Sequence, residues 1–469
     1  MTYILGIDLG TTYFKAALYM PDGRLVGLTR VAVNPSIDGV RCELEVSRFI
    51  SLLNGAIAEV CHQAGSGSDD IVAVSYASQA NSFVLLNKAL HPLTPIVLWP
   101  DDRAAVLDRT LEGFVNKSDF LMTTGLGLFS HQFCLNKLVW FRQNEPDIWN
   151  RADCVMTLSD FFTFMCTGER AGDAGTASLL GLLDLKSCSW WQRALDCLGI
   201  EKQSLSVVKK PGSMTGKTRS NPLGIPRNIP FIAGGLDHHI AAIGAGVKDH
   251  HRCSESTGTV LACFRYLDRY QPKKNCHTGP ATDGLTCYQL AFRENGTRAL
   301  DYYLKTVMPQ QSFKDLFELA GAVEPGCDGL VAIWQNQTNR FSKGQGDYTP
   351  GHYVRSVLES TALDFVELIA LLFDRTLPAD VLATGGGAKS DLWLQIKADM
   401  LGVPVIRSGC EEPASRGAAM LAAVGYGCYP SLKACSEEWP DQQSVFYPDK
   451  KNVEKYHRWI KKNRSRLMT

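Results

Sequence analysis

An acidic residue followed by glycine and threonine stands near the start of the sequence. An apolar run, residues 3–7, leads into Asp8, and Gly10, Thr11 and Thr12 follow it. Glycine lets a backbone approach phosphate closely, and backbone N–H groups and threonine hydroxyls supply hydrogen-bond donors. The carboxylate could hold a hydrated Mg²⁺ ion that bridges phosphates. Taken alone, the pattern fits a plain β-turn equally well.

The same chemistry recurs in the second half of the chain, where Ser256, Thr257, Gly258 and Thr259 stand before an apolar stretch. Two such loops can hold a polyphosphate from both sides, with hydroxyls and backbone N–H groups as donors. The pairing of the loops therefore favours phosphate binding over two unrelated turns.

A third candidate is Asp237, which follows Gly234 and Gly235 at the end of an apolar run. A carboxylate in such a place can take the proton from a hydroxyl as a general base. On local grounds, an Asx-turn or a helix N-cap explains the residue as well.

A run of small residues follows the predicted buried strand 381–384 and comprises Gly385, Gly386, Gly387 and Ala388. It offers a flat surface without large side chains, against which a purine ring could lie. A loop that needs positive φ is the structural alternative.

One further glycine-rich stretch resembles a phosphate-binding P-loop but does not meet its requirements. Residues 212–218 have three residues between their glycines, where the motif needs four. The segment that follows, 219–230, contains three prolines and cannot form the helix whose N-terminus would bind phosphate. We therefore exclude a P-loop here.

Strand and helix patterns alternate around the candidate residues. In the first half they predict strands at 3–8, 14–19, 25–30 and 71–75 and a helix over 46–60. In the second half they predict a strand at 381–384 and a helix over 354–372. They also predict a helix through 401 that begins at a Ser390 cap and is followed by Gly402, and a helix over 414–424, closed by Gly425, whose small residues allow close packing. Each half has a strand that enters a Gly/Thr turn, then a strand and a helix. This repeat predicts two related α/β domains with a central cleft.

Composition narrows the class of protein. The 469 residues are 45% hydrophobic and 20% charged, as in ordinary globular proteins. Lys+Arg and Asp+Glu are 48 each, so the formal net charge of +0 disfavours a nucleic-acid or polybasic membrane binder. No apolar run reaches the ~18 residues of a spanning helix. The first residues lack the basic region of a signal peptide, and we expect a cytoplasmic protein.

The 15 cysteines form no C-x-x-C pair, and their spacing is irregular. Zinc sites and disulfide frameworks need clustered or patterned cysteines. We therefore interpret them as reduced core thiols.

Taken together, these residues resemble the FGGY carbohydrate kinases of the actin-like, ribonuclease H-like ATPase superfamily. The segment Trp99-Pro100-Asp101-Asp102-Arg103 is similar to the family's W-x-D-x-R sugar motif. Further similar segments follow in the family's order over nearly the whole chain, at 137–144, 158–160, 167–169, 173–178, 385–395, 398–399 and 412–419.

The resemblance implies two ribonuclease H-like domains with a central cleft, at 1–245 and 246–469, and an ATP-dependent sugar kinase that uses ATP and Mg²⁺. It implies that Asp237 is the catalytic base and that Asp8 and Asp237 hold the metal. It implies ATP contacts at Gly10, Thr11, Thr12, Lys15, Ser256, Thr257, Gly258, Thr259, Gly385, Gly386, Gly387 and Ala388. It implies sugar contacts at Gln79, Asn81, Trp99, Asp101, Arg103 and His238.

Several residues depart from the xylulose kinases of the family. Their sugar loop reads close to G-Q-M-H-G, whereas residues 78–82 read S-Q-A-N-S, so that Asn81 stands in place of histidine. His238 follows the base where Asn or Gln is frequent, Cys134 replaces Pro, Ser or Thr, and 337–341 departs from a Gly-Glu-Arg-x-Pro loop. An amide cannot become cationic. We therefore expect a neutral ketose of the pentulose (xylulose-like) kind, or a polyol, with an aldonate such as gluconate as the alternative.

Other interpretations stay open at this stage. The sugar-motif residues could be structural, with Arg103 paired to Asp101 or Asp102 and Trp99 in the core. The chain could also be a nucleotide-switched actin-like binding protein, or a catalytically silent relative of the kinases. As partners we expect a small-molecule sugar, no nucleic acid and no membrane, and a homodimer is an open alternative.

Overall fold

A computed structural model of the protein describes residues 2–65, 67–247, 249–282, 287–335, 337–342, 347–439 and 441–467. The chain forms two compact units. Unit 1 comprises residues 1–246, 267–289 and 412–440, and unit 2 comprises residues 247–266, 290–411 and 441–469. The domain limits that the sequence suggested, 1–245 and 246–469, stay a prediction. None of the helices within the described residues is long and apolar enough to cross a membrane.

The strands among the described residues are β1 (Tyr3–Leu9), β2 (Tyr13–Tyr19), β3 (Leu25–Ala32), β4 (Ser36–Asp38), β5 (Arg41–Leu44), β6 (Ile71–Ser78), β7 (Phe83–Leu86), β8 (Ile96–Val97), β9 (Cys154–Thr157), β10 (Ala171–Asp173), β11 (Leu183–Asp184), β12 (Ser189–Trp190), β13 (Val207–Lys209), β14 (Met214–Lys217), β15 (Pro230–Ile232), β16 (Gly235–Leu236), β17 (Arg252–Thr257), β18 (Leu261–Leu267), β19 (His277–Pro280), β20 (Cys287–Arg293), β21 (Val331–Gln335), β22 (Thr338–Ser342), β23 (Asp380–Thr384), β24 (Val405–Arg407) and β25 (Ser444–Phe446).

The α-helices are α1 (Val46–Gln63), α2 (Arg109–Val115), α3 (Ser118–Thr124), α4 (Cys134–Asn144), α5 (Pro146–Trp149), α6 (Leu158–Thr167), α7 (Ala174–Ser178), α8 (Gln192–Leu198), α9 (Asp237–Ala245), α10 (Arg298–Thr306), α11 (Phe313–Gly321), α12 (Pro350–Leu372), α13 (Asp391–Leu401), α14 (Pro413–Tyr426), α15 (Leu432–Glu438) and α16 (Lys450–Leu467). Short 3₁₀ turns occur at Ser68–Asp70, Lys202–Ser204, Cys327–Gly329 and Gly386–Lys389.

The main sheet of unit 1 has the order β14-β15-β6-β1-β2-β3, and β16 also pairs with β6. Strand β1 is antiparallel to β2 and parallel to β6, because the chain turns back at once after β1 and reaches β6 only after α1. Helix α1 buries Phe49, Leu53, Ile57 and Val60, a spacing of four, four and three residues that places them on one helix face. A second sheet of the unit has the order β4-β5-β8-β7-β9.

Glycines bring helix α14 very close to its neighbours in unit 1, where it packs against β1, β6 and α9. A Cβ atom on Gly6 would lie 2.1 Å from the carbonyl oxygen of Ser415, and one on Gly417 would lie 2.0 Å from that of Ile240. Only glycine allows backbones to approach so closely. The small-residue helix of the sequence prediction is confirmed as an element that packs closely, but it ends at Tyr426 rather than before Gly425.

Unit 2 repeats the strand arrangement of unit 1. Strand β17 is antiparallel to β18 and parallel to β23, and β24 and β25 extend the sheet. Helix α13 begins after Ser390, whose hydroxyl accepts a hydrogen bond from the backbone N–H of Trp393, and it ends at Gly402 in the left-handed region, as predicted. The predicted pattern of a strand, a Gly/Thr turn and a second strand is thus present in both units.

Candidate functional site

Three parallel-paired strands of unit 1 end at the same level. Asp8 of β1 pairs in register with Ala77 of β6, and Gly235 of β16 pairs with the same Ala77. Gln79 comes directly after β6, and Asp237 comes directly after β16. Since the carboxyl ends of parallel strands meet at one edge, the sheet gathers Asp8, Gln79 and Asp237 there. Polar groups at such an edge are typical of ligand sites in α/β proteins.

Asp8 is buried, and its carboxylate is held by a lysine from the adjacent strand. Lys15 Nζ lies 2.9 Å from Asp8 Oδ2 and 2.7 Å from Glu412 Oε2. Burial raises the pKa of Asp8 to about 6, against the lowering effect of Lys15 and with further raising by Asp237 and Glu412. Burial alone would lower the pKa of Lys15, but Asp8 and Glu412 together raise it above its ordinary value. The lysine therefore stays cationic between two carboxylates.

Glu412 is the residue of this group that the sequence did not single out as a site residue. It stands just before α14 and also accepts a hydrogen bond from Arg30 Nε at 2.7 Å. It lies 397 residues after Lys15, and no local pattern in the sequence links two residues so far apart. Its place beside Asp8 follows from the packing of α14 on β1.

Asp237 is the first residue of α9 and is half-buried. One of its carboxylate oxygens, Oδ1, accepts a hydrogen bond from the backbone N–H of His238 at 2.8 Å. The N-terminus of a helix favours a negative charge. Before it, Gly234 permits a close approach of strands, because a Cβ atom there would lie 1.7 Å from the carbonyl oxygen of Tyr76. His238 is half-buried next to the carboxylate.

Side chains from the predicted sugar loop are linked to the first Gly/Thr turn. Gln79 Nε2 donates to the carbonyl oxygen of Gly10 at 3.0 Å, and Ser82 Oγ donates to Gln79 Oε1 at 3.1 Å. Trp99 Nε1 donates to Thr11 Oγ1 at 2.7 Å. The structure therefore brings Gln79 and Trp99 together with the turn that contains Gly10 and Thr11. Thr12, the last residue of that turn, is exposed.

Asp101 and Arg103 bind each other inside the protein. Arg103 Nε lies 2.7 Å from Asp101 Oδ1, and the guanidinium also pairs with Glu43. The Arg103 side chain is 2% exposed and lies over the ring of Phe141 at 5.0 Å. Burial raises the pKa of Asp101, but its hydrogen bonds from Arg103 and from the backbone N–H of Cys42 outweigh this and lower it. The pairing of Arg103 with Asp101 that the sequence left open is the one observed.

Asn81 has a positive φ of 60°, a conformation that asparagine tolerates better than most residues. Its amide oxygen accepts a hydrogen bond from the backbone N–H of Cys134 at 3.0 Å, so its amide nitrogen is the group that this bond leaves for other partners. Nearby, the buried Lys137 donates to the carbonyl oxygens of Leu98 and Trp99 at 2.9 and 2.8 Å. Burial lowers the pKa of Lys137 to about 8.

The second Gly/Thr turn lies in unit 2 between β17 and β18. Ser256 and Thr257 are the last residues of β17, and the backbone N–H of Gly258 donates to the carbonyl oxygen of Val260 at 3.1 Å. Thr259 is exposed, and Ser256 and Gly258 are half-buried. A Cβ atom on Gly258 would have no neighbour closer than 3.9 Å, so the space above this residue is open.

The glycine-rich run lies beside this turn in the same unit. Thr384, the last residue of β23, pairs in register with Ser256. Gly385 has a φ of 78°, and a Cβ atom on it would lie 2.9 Å from the carbonyl oxygen of Thr257. The positive φ that the structural alternative required is therefore observed at Gly385, whereas a purine site on the exposed Gly385 and Gly386 stays a prediction.

No group of three or more His, Cys, Asp or Glu side chains is arranged to hold a metal ion among the residues that the structure describes. A Mg²⁺ site does not require such a cluster, because one or two carboxylates often hold the ion together with substrate phosphates and water. Asp8 and Asp237 supply hard oxygen donors of this type at one sheet edge.

The fifteen cysteines form no disulfide bond, and most of them are buried, as expected.

Residues 3–244 match the N-terminal domain of the FGGY family of carbohydrate kinases, and residues 322–426 match its C-terminal domain. The chain belongs to the FGGY family of carbohydrate kinases. It is accordingly an ATP-dependent carbohydrate kinase. The resemblance of the sequence motifs to this family is confirmed.

Full-length relatives agree with this family. The chain is 26% identical to a xylulose kinase of Bacillus subtilis (strain 168) over 97% of this chain and 95% of that one. The structure matches a ligand-bound xylulose kinase from Lactobacillus acidophilus with a TM-score of 0.92 at 21% identity, over 100% and 99% of the two chains. It matches a gluconate kinase from Lactobacillus acidophilus with a TM-score of 0.91 at 21% identity, over 99% and 97%. These likenesses confirm the predicted two-domain α/β fold of actin-like ATPases.

Proposed function

We propose that this kinase transfers the γ-phosphate of ATP to a hydroxyl of a neutral ketose of the pentulose kind, such as xylulose, or of a polyol. The observation that carries the proposal is the common sheet edge at which β1, β6 and β16 present Asp8, Gln79 and Asp237. The chemistry requires a base for the hydroxyl, donors for the phosphates and a partner for their charge.

Asp237 is proposed as the general base. Its carboxylate is half-buried at a helix N-terminus, where it stays available to a substrate. It takes the proton from the substrate hydroxyl as that oxygen attacks the γ-phosphorus in line with the leaving oxygen. His238 stands beside it as a candidate for contact with the sugar.

The phosphate-binding groups are proposed to be the two Gly/Thr turns, residues 10–12 and 256–259, with Lys15 as a nearby cation. Asp8 and Asp237 would hold Mg²⁺, which supplies positive charge to the phosphate oxygens when it is bound. The raised pKa of Asp8, about 6, reflects a buried carboxylate whose charge is only partly balanced by Lys15. Such a carboxylate gains from a cation more than an exposed one does. The run 385–388 is proposed to lie against the adenine.

A neutral substrate is favoured because the cations around the predicted sugar motif already have partners. Arg103 is paired with Asp101 and Glu43, and Lys137 with two carbonyl oxygens. A carboxylate substrate would need a cation that is free to bind it. Asn81 offers an uncharged amide nitrogen, which suits a hydroxyl or ketone oxygen.

The relatives support the same substrate class without deciding it. The Bacillus subtilis relative, which matches nearly the whole chain, is a xylulose kinase. The gluconate kinase of similar fold keeps an aldonate as the alternative substrate. The pairing of Arg103 is the feature of this chain that favours the ketose.

A substrate screen with an active-site control tests the proposal. ATP consumption is measured with D-xylulose, D-ribulose, L-xylulose, their hexulose homologues, polyols and D-gluconate, for the unmodified chain and for Asp237→Asn. We expect one neutral sugar to stand out and the variant to lose about 10²–10⁴-fold in kcat while it still binds ATP. A tenfold preference for gluconate would refute the neutral substrate. Retention of more than about a tenth of kcat would refute Asp237 as the base.

A further inference from the structure

We propose that Lys397 is a positioning residue for nucleotide binding. Through its hydrogen bond to the hydroxyl of Thr257, it fixes the second Gly/Thr turn, residues 256–259. The inference rests on the proposed function in one respect, namely that residues 256–259 contact the phosphates of ATP. Lys397 itself touches no nucleotide in this proposal, because its side chain is fully buried.

The ammonium group closes a ring of hydrogen bonds within unit 2. Lys397 Nζ donates to Glu255 Oε1 and to Thr257 Oγ1, each at 2.6 Å. The Thr257 hydroxyl in turn donates to Glu255 Oε2 at 2.7 Å. Each of the two carboxylate oxygens and the hydroxyl therefore has a partner. A charge-assisted network of this kind holds its members in one geometry.

All three side chains are excluded from solvent, with Lys397, Glu255 and Thr257 at 0% exposure. The ammonium lies over the Trp393 ring at 5.2 Å and the Phe365 ring at 5.8 Å, which adds cation–π contact but no further hydrogen-bond acceptor. A buried ion pair seldom adds net stability compared with apolar residues of similar volume. Its presence at this place therefore calls for an explanation other than stability.

The geometry of Thr257 supplies that explanation. The backbone of Thr257 lies against the glycine-rich run, since a Cβ atom on Gly385 would be 2.9 Å from its carbonyl oxygen. Its side chain lies against the same run, since a Cβ atom on Gly387 would be 2.7 Å from Thr257 Cβ. Thr384 Oγ1 also donates to the carbonyl oxygen of Glu255 at 3.0 Å. One ammonium group thus fixes a residue that joins the turn 256–259 to the run 385–388.

The helix that carries Lys397 is itself fixed to that run. Helix α13 begins immediately after the glycine-rich segment and its Ser390 cap. Lys397 lies on its second turn and reaches back to β17. If Thr257 lost its partner, the turn could shift while the sheet beneath it remained intact. The expected consequence is weaker nucleotide binding rather than a failure of folding.

The experiment measures the dissociation constant of ADP by calorimetry in the presence of MgCl₂, so that no sugar is needed. Thr257→Val removes the hydroxyl and keeps the ion pair. The double variant Glu255→Gln/Lys397→Met removes both charges together, which avoids a lone buried charge. We expect both variants to bind ADP about tenfold more weakly, which corresponds to about 1.4 kcal/mol.

A second buried ion pair of unit 2 provides the matched control. Arg355 Nε lies 2.9 Å from Glu359 Oε1 in helix α12, and this pair contacts Tyr456 rather than the turn. The double variant Arg355→Met/Glu359→Gln should bind ADP within twofold of the unmodified chain, even if its urea midpoint falls as far as that of the Lys397 variant. A purely structural role for Lys397 predicts equal ADP binding in the two double variants.

The outcomes separate this inference from the proposed function. Gly258→Val adds a side chain to the turn where a Cβ atom has no neighbour closer than 3.9 Å, and we expect it to block phosphate. If Gly258→Val leaves ADP binding unchanged, the turn is not the phosphate site and the proposed function is wrong there. If Gly258→Val weakens binding while Thr257→Val and the Lys397 double variant do not, the positioning role is wrong and the site stands. Should the double variant not fold, Thr257→Val alone decides.

Discussion

The buried imidazole of His277 gives the sharpest prediction about stability. His277 is 5% exposed at the start of β19 in unit 1, with Nε2 3.2 Å from Ser178 Oγ. Burial lowers its pKa from 6.5 to about 3. A group whose pKa is lowered on folding contributes stability that is complete above its unfolded pKa. That contribution is lost as the pH falls from 6.5 toward 3.

The magnitude follows from proton linkage. At pH 5 protonation of this imidazole increases the equilibrium population of the unfolded chain about thirtyfold. It leaves the population of the folded chain almost unchanged, because the folded pKa lies well below 5. At about 1.36 kcal/mol per factor of ten, the free energy of unfolding falls by about 2 kcal/mol between pH 7.5 and pH 5. The value hardly depends on the folded pKa, provided that this lies at 4 or below.

The assay is urea denaturation at pH 7.5 and pH 5 for the unmodified chain and for His277→Gln. Glutamine does not titrate in this range, and all other groups cancel in the comparison. The variant should therefore lose about 2 kcal/mol less than the unmodified chain when the pH is lowered. Ser178→Ala serves as the control, because it removes the hydroxyl partner and keeps the pH-dependent loss. An equal loss in the unmodified chain and in His277→Gln would refute the reasoning.

Two further predictions concern the ion pairs of unit 1. Arg103→Met leaves Asp101 buried without its partner, so we expect a loss of about 3–5 kcal/mol in the urea-derived free energy of unfolding; unchanged stability with a raised sugar KM alone would contradict this. In Glu412→Gln, Asp8 is the remaining carboxylate partner of Lys15, so the lysine competes more strongly with Mg²⁺ for Asp8. The MgCl₂ concentration for half-maximal activity should therefore rise several-fold. An unchanged MgCl₂ requirement would speak against a metal at Asp8.

The sequence predicted those elements whose signal is local. The apolar run before Asp8 gave β1, and helix α13 was placed correctly because Ser390 and Gly402 both mark its ends. The end of α14 was wrong by two residues. Gly425 looked like a cap but is a packing residue, since a Cβ atom there would lie 2.4 Å from Ile232 Cδ1, and Gly427 takes the left-handed conformation instead.

Contacts between distant segments could not be predicted in the same way. Lys397 is separated from Glu255 by 142 residues, and each residue alone fits an exposed position. The partners of Lys15 and Arg103 could likewise be predicted only in part from the sequence, because Glu412 and Glu43 lie on other elements. Candidate residues therefore came from motif and resemblance, whereas their charge state depends on packing that a single sequence does not encode locally.

The two Gly/Thr turns occupy corresponding places in their units, which makes the difference in their charge informative. Asp8 pairs in register with the parallel strand β6 two residues before Gly10, and Ser256 pairs with the parallel strand β23 two residues before Gly258. At the equivalent position, one unit thus presents a carboxylate and the other a hydroxyl. A carboxylate beside a phosphate repels it unless a cation lies between them.

In unit 2 the carboxylate of the same strand, Glu255, is one residue earlier, fully buried and neutralised by Lys397. In unit 1 the carboxylate of Asp8 stands at the end of the strand, and its lysine is shared with Glu412. The turn of unit 2 therefore lies beside a carboxylate that is neutralised, which suits direct contact with phosphate. The turn of unit 1 lies beside a carboxylate that is only partly balanced, which suits a divalent cation. The same local fold can therefore serve two electrostatic roles, because the two strand ends differ in the position of their carboxylate and in how completely a lysine neutralises it.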